Sequence, residues 1–144
     1  MEIKNRSAYF EYYIDDKYTA GIVLTGTEVK SLRAGKASFN DSYCIFHKGE
    51  VWIKSFHIAE YTFGTVNNHE PLRDRKLLLS KREIKKLDTK IKEKGYTLIP
   101  LRLFFNEKNL IKLDIGLAKG KKLHDKRETI KQRDTDREMK RYIK

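Results

Sequence analysis

Residues 42–56 read SYCIFH-KG-EVWIKSF, two runs rich in aromatic and branched side chains joined by Lys48-Gly49. Glycine adopts the positive φ that a tight hairpin turn demands, so this segment folds as two antiparallel strands. The same grammar recurs twice. SAYFEYYI (7–14) and KYTAGIVL (17–24) flank Asp15-Asp16, and TLIPLRLFFN (97–106) and LIKLDIGLA (110–118) flank Glu107-Lys108-Asn109. Each pair predicts a hairpin, with Pro100 marking an edge position or a bulge. Six strands of this kind form an antiparallel sheet, and closure into a small barrel removes the exposed edges.

Two helices interrupt the strands. Thr25 and Glu28 stand at capping-box spacing, Val29 and Leu32 share a face, and Gly35 supplies a stop. Ser80 and Glu83 repeat the box, Ile84, Leu87 and Ile91 mark one face, and Gly95 ends the second helix. Residues 61–75 mix Gly, Asn, Pro and charge without a period and read as a long surface connection. The fold class is therefore mainly β with helices.

After residue 118 the character changes. Residues 119–144 hold eleven Lys or Arg against five Asp or Glu, half of the chain's net charge of +12. Leu123, Ile130, Met139, Tyr142 and Ile143 are the large apolar residues there and make no continuous helical stripe. Such a segment buries too little to offset an ordering entropy of about 1 to 2 kcal/mol per residue. The chain thus divides into a core, residues 1–119, and a basic tail, residues 120–144. The tail is expected as coil when free and helix when bound, since Asp136 precedes Lys140 at the favourable spacing. Tyr142 and Ile143 read as anchors for an outside surface.

A positive balance of this size implies a polyanionic partner, nucleic acid first. Neither an apolar run near 18 residues nor a strongly apolar helix face flanked by basic residues points to a membrane. The N-terminus lacks the apolar centre of a secretory signal, which predicts a cytoplasmic protein. Lone Cys44, in SYCIF, reads as a buried structural thiol.

Catalysis finds no constellation. The four histidines (47, 57, 69, 124) show no metal-site spacing, and Glu60, His69 and Glu70 form no recognisable acid-base set. No phosphate-loop motif accompanies AKGKK, although Gly120 between Lys119 and Lys121 lets backbone approach a phosphate that the ammonium groups, Lys122 included, neutralise. Neither an enzyme, a metal site nor a cofactor is expected. Most aromatics sit in strands beside aliphatics, so core packing is the expected role of Trp52 and Phe56, with base stacking the alternative.

NRSA, EYYI, AGIVLTGTEVKSLRAGKAS, DSY, RKLLLSKREI, KGYTLIPL and IGLAKGKKLHDKR occur in an order that resembles the SsrA-binding protein family, also called small protein B, the bacterial partners of transfer-messenger RNA. The resemblance spans nearly the whole chain, and GTEVKSLRAGK with AKGKK and HDKR is its most specific part. It implies an oligonucleotide-binding-type barrel with flanking α-helices and no catalysis. It also implies rescue of stalled ribosomes, in which the protein grips the transfer-RNA-like part of the RNA and replaces its missing anticodon arm. The tail would then enter the empty messenger channel.

Carried over by position, RNA contacts fall on Asn5, Arg6, Lys30, Arg33, Leu78 and Lys112, with Ala8, Gly26, Glu28 and Ser31 in the same motifs. Lys119, Lys121 and Lys122 join them on charge. The decoding-centre segment falls on Gly120, His124, Asp125, Lys126 and Arg127. Ser7 stands where the family usually has a second basic residue and Thr19 where a glutamate is common, so no contact is assigned to Thr19. Without the resemblance, a general single-stranded RNA-binding barrel or RNA chaperone explains the same charge and aromatics.

Overall fold

The computed structural model describes residues 2–63, 67–93 and 95–121. Strands β1 (Glu2–Lys4), β2 (Tyr12–Ile22), β4 (Tyr43–His47), β5 (Glu50–Lys54), β7 (Arg75–Leu78), β8 (Tyr96–Phe105) and β9 (Ile111–Gly120) form one antiparallel sheet in the order β1-β8-β4-β5-β7-β2-β9. β8 also pairs with β9 along its full length, which closes the sheet into a barrel. β3 (Ala37–Ser38) and β6 (His57–Ile58) make a separate two-stranded ribbon.

Local chemistry explains the elements. Lys48 and Gly49 both take positive φ, 51° and 74°, the twisted turn that a two-residue hairpin requires. The expected edge or bulge at Pro100 is a bulge, with the β8–β9 register shifting between Pro100 and Arg102. Helices α2 (Gly26–Arg33) and α3 (Lys81–Ile91) both begin with complete capping boxes, from Thr25 with Glu28 and from Ser80 with Glu83. Each box satisfies two backbone donors that a helix start would otherwise leave unpaired.

The barrel interior holds Val51, Ile53, Leu77, Leu98, Leu103, Leu113, Ile115 and Leu117, and Leu32 of α2 and Leu87 of α3 join the same cluster. β7 begins at Arg75, which bonds α2 through Glu28, and its far end runs into α3, so the two helices cap opposite ends of the barrel. A second, smaller cluster lies outside the wall, where Ala8 of the one-turn helix α1 (Ala8–Glu11) packs on Ile99, Leu101 and Ala118.

Several expectations are corrected. SAYFEYYI and KYTAGIVL are not two hairpin strands: residues 8–11 are helical and Tyr12–Ile22 is one strand, paired with β9 from Tyr12 to Gly21. Asp15-Asp16 is a bulge within it, since the register shifts between Ile14 and Asp16. The connection 61–75 ends in a strand, β7, and β1 adds another on β8. Phe56 is fully buried and stacked on Phe39 at 4.6 Å, as expected, whereas Trp52 lies half-buried on the other face of its strand with its ring Nε1 covered. It pairs with Ile45 and Lys76, opposite in parity to buried Val51 and Ile53.

Candidate nucleic-acid interface

Because side chains alternate along a strand, the outward face can be read from the register. Leu78, Gly21, Lys112 and Phe104 are direct partners across β7, β2, β9 and β8. Gly21 leaves the middle of this row open, and a Cβ there would stand 3.2 Å from Cβ of Leu78. Leu78 is 51% exposed, an apolar side chain held on the barrel's outside beside Lys112.

The next outward row is Thr19, Asp114, Arg102 and Lys4. Thr19 Oγ1 donates to Asp114 Oδ1 at 2.6 Å, and Arg102 Nε donates to Asp114 Oδ2 at 2.8 Å. The carboxylate of this row therefore comes from β9 rather than from position 19. Hydrogen bonding to Asp114 raises the Arg102 guanidinium above its ordinary pKa, and its Cζ lies 4.1 Å from the Phe104 ring centre.

Asn5 is a structural anchor. Its amide donates to the Pro100 carbonyl at 2.8 Å, its backbone N–H to the Leu101 carbonyl at 2.8 Å, and its Oδ1 accepts from Ser7. That anchoring sets Arg6 on the rim of a cleft of about 480 Å³ lined by Lys4, Tyr9, Lys17, Arg102 and Asp114. Asn5, Arg6, Leu78 and Lys112 thus belong to one side of the barrel wall. Lys4, Lys17 and Arg102 join them and were missed in the sequence, where the alternation LRLFF was the one available signal.

Lys30 and Arg33 are exposed on α2, with the Lys30 ammonium 5.2 Å from the Tyr61 ring centre. What fixes α2 is its buried Glu28. Besides closing the capping box, Glu28 takes Arg73 at 2.6 Å and the Nε of Arg75, which is itself fully buried. Burial pushes the Glu28 carboxyl up, but hydrogen bonds from Arg73, the Thr25 N–H and Arg75 prevail and hold it below its usual range. Arg75 is further bound to the carbonyls of Phe56 and Pro71 at 2.6 and 3.2 Å. Glu28 is therefore a buried ionic fastener between helix and barrel.

At the end of β9, Lys119 lies 4.4 Å from the Tyr96 ring centre and Gly120 pairs with Tyr12. Lys121 Nζ donates to the Tyr9 carbonyl at 2.9 Å and its N–H to the Glu11 carbonyl. Lys122, His124, Asp125, Lys126, Arg127, Tyr142 and Ile143 lie outside the described residues, as does the expected coil-to-helix behaviour of the tail.

His69 is buried, bonded through Nδ1 to Thr27 and through Nε2 to the Ile58 carbonyl, both at 2.9 Å. It packs α2 against β6. Burial pushes the Cys44 thiol up to about 12, which makes it inert at neutral pH. Among the described residues, no group of three or more His, Cys, Asp or Glu could hold a metal ion, and no helix is long and apolar enough to cross a membrane.

A positive barrel wall with capping helices can be matched against known proteins. The family model described as SmpB protein matches residues 2–144. The SsrA-binding protein of Bacteroides thetaiotaomicron is 57% identical over 144 residues, covering 100% of this chain and 96% of the relative. That of Fervidobacterium nodosum is 51% identical, covering 97% of this chain and 94% of the relative. A solved structure described as "tmRNA-SmpB: a journey to the center of the bacterial ribosome" superposes with a TM-score of 0.71 at 46% identity, over 90% of this chain and 94% of that one. With likeness running from the first strand through the basic tail, the chain belongs to the SmpB protein family.

Proposed function

We propose that this chain binds the transfer-RNA-like domain of transfer-messenger RNA and delivers it to stalled ribosomes, acting in trans-translation in the cytoplasm. The observation that carries this reading is the full-length likeness to SsrA-binding proteins together with the match to a tmRNA-SmpB structure at 46% identity. It is an RNA-binding protein rather than an enzyme.

The wall formed by Leu78, Lys112, Arg102 and Arg6 suits a folded RNA elbow. Cations contact phosphates while Leu78 covers the face of a splayed base, a combination that reads shape and exposed bases more than sequence. Lys30, Arg33, Lys119, Lys121 and Lys122 extend the phosphate contacts. In this reading residues 1–119 are the RNA-binding body. Residues 120–144 occupy the decoding centre and the empty messenger channel, with Gly120, His124, Asp125, Lys126 and Arg127 at the decoding centre and Tyr142 and Ile143 further in. There His124 stacks on a base while Lys126 and Arg127 meet phosphate.

The test is a binding competition in which transfer-messenger RNA, an ordinary transfer RNA and an unstructured RNA are titrated against the labelled complex. Preference for transfer-messenger RNA supports the reading. Equal or better competition by the unstructured RNA supports a general single-strand binder instead.

A further inference from the structure

The solvent side of α3 carries Lys81, Arg82, Lys85 and Lys86. Among the described residues none of these four makes an ion pair, and every acid nearby on that helix is already committed. Glu83 closes the capping box, Asp88 takes Lys92 at 3.2 Å, and Glu93 takes Lys90 at 3.8 Å. Lys81 and Lys85, Arg82 and Lys86, and Arg82 and Lys85 stand at helical spacings where like charges repel and destabilise the helix.

The facing hairpin adds to the same charge. Lys48 sits at φ 51°, a left-handed position that Asn, Asp or Gly would fill with less strain. It lines a groove of about 530 Å³ with Phe46, Gly49, Lys81, Ile84, Lys85 and Asp88. Two elements distant in sequence thus converge Lys48, Lys81, Arg82, Lys85 and Lys86 on one surface, where the carboxylate lining the groove, Asp88, is taken by Lys92.

The outward positions offer nothing else. Ile84, Leu87 and Ile91 belong to the core side, and the neighbouring surface is Arg82, Lys85, Lys86, Thr89 and Lys90. Phe46 and Ile84, which also line the groove, pack against the core, and the exposed side chains around them are Lys and Arg, a face better suited to phosphate than to a protein hot spot or to insertion among lipid tails. Arg82 to Lys90 spans about 12 Å at 1.5 Å per residue, a stretch over which a nucleic-acid duplex presents about seven phosphates.

We propose that the α3 face and the Lys48 turn form a second phosphate-binding surface that docks on a duplex of ribosomal RNA while the barrel wall holds the transfer-messenger RNA. The inference rests on the function proposed above, and α3 caps the barrel end opposite α2, whose Lys30 and Arg33 belong to the first interface.

The test uses the full chain carrying Arg82→Gln, Lys85→Gln and Lys86→Gln, with Arg82→Lys as the charge-retaining control. Two affinities are measured across a salt series: protein for the transfer-RNA-like RNA domain, and the preformed protein–RNA complex for ribosomes. The triple variant is expected to keep the first affinity and its salt slope. In the second, loss of three phosphate contacts lowers the log-log slope by about 2 to 3, so the wild-type advantage shrinks about 30-fold between roughly 50 and 200 mM salt. Arg82→Lys leaves both unchanged. An unaltered ribosome slope overturns the proposal, and so does a loss confined to the transfer-RNA-like domain. Failure of the wild-type chain to bind that domain at all refutes the proposed function instead.

Discussion

Replacing Glu28 by alanine removes the carboxylate that pairs with Arg75 inside the barrel end. Both side chains are fully buried, so the change strands a guanidinium beside the Phe56 ring and takes the carboxylate from Arg73 as well. Removing one member of a buried pair destabilises by about 3 to 5 kcal/mol. The lost acceptor for the Thr25 N–H adds about 1 kcal/mol. A total of about 4 to 6 kcal/mol is a large share of the 5 to 15 kcal/mol typical of a domain, and it lowers Tm by about 12 to 30 °C. Urea unfolding of Glu28→Met, Arg75→Met and the double replacement Glu28→Met/Arg75→Met measures the coupling, expected at about 2 to 3 kcal/mol. A loss below about 1 kcal/mol for Glu28→Ala would refute the view that this pair fastens α2.

The same carboxylate sets an acid dependence. Its folded pKa lies below the unfolded value of about 4.3, so its contribution is complete above that pH and is lost as pH falls through the folded value. Stability curves of wild type and Glu28→Gln should therefore converge in acid and run parallel near neutrality. Lys112→Ala should weaken transfer-messenger RNA binding and reduce its salt slope by about 0.7 to 0.9, read by filter binding; an unchanged slope removes Lys112 from the interface. Native Cys44, its thiol raised to about 12, should resist a thiol reagent at pH 8 and react at once in denaturant; rapid native labelling would contradict its burial.

What could be read from the sequence was what is decided locally. Both capping boxes and the Lys48-Gly49 turn depend on residues three or four apart, and all three form as expected. Asp15-Asp16 misled because an acidic pair between aromatic runs resembles a turn. What makes it a bulge is pairing with β9 a hundred residues away and the Tyr96 hydroxyl bound to Asp15. β7 escaped because RKLL is four residues between a turn and a capping box, too short for alternation to register.

The interface was legible in the same measure. Leu78 and Lys112 came from family likeness, and the barrel register sets them on one outward row, with Gly21 as the open space between them. Arg102 and Lys17 are cations in strands, and nothing in a linear reading says which face a strand turns outward once bulges reset its parity. Glu28 was legible as a cap but not as the partner of Arg75, since the buried arginine lies 47 residues away.

The proposed function divides labour between a body that grips RNA and a tail that works on the ribosome. Removal of residues 123–144, followed by parallel measurement of transfer-messenger RNA affinity and of peptide tagging in a stalled translation system, tests it most directly. Retained affinity with tagging abolished is the predicted result. Tagging at the wild-type rate without the tail would contradict it.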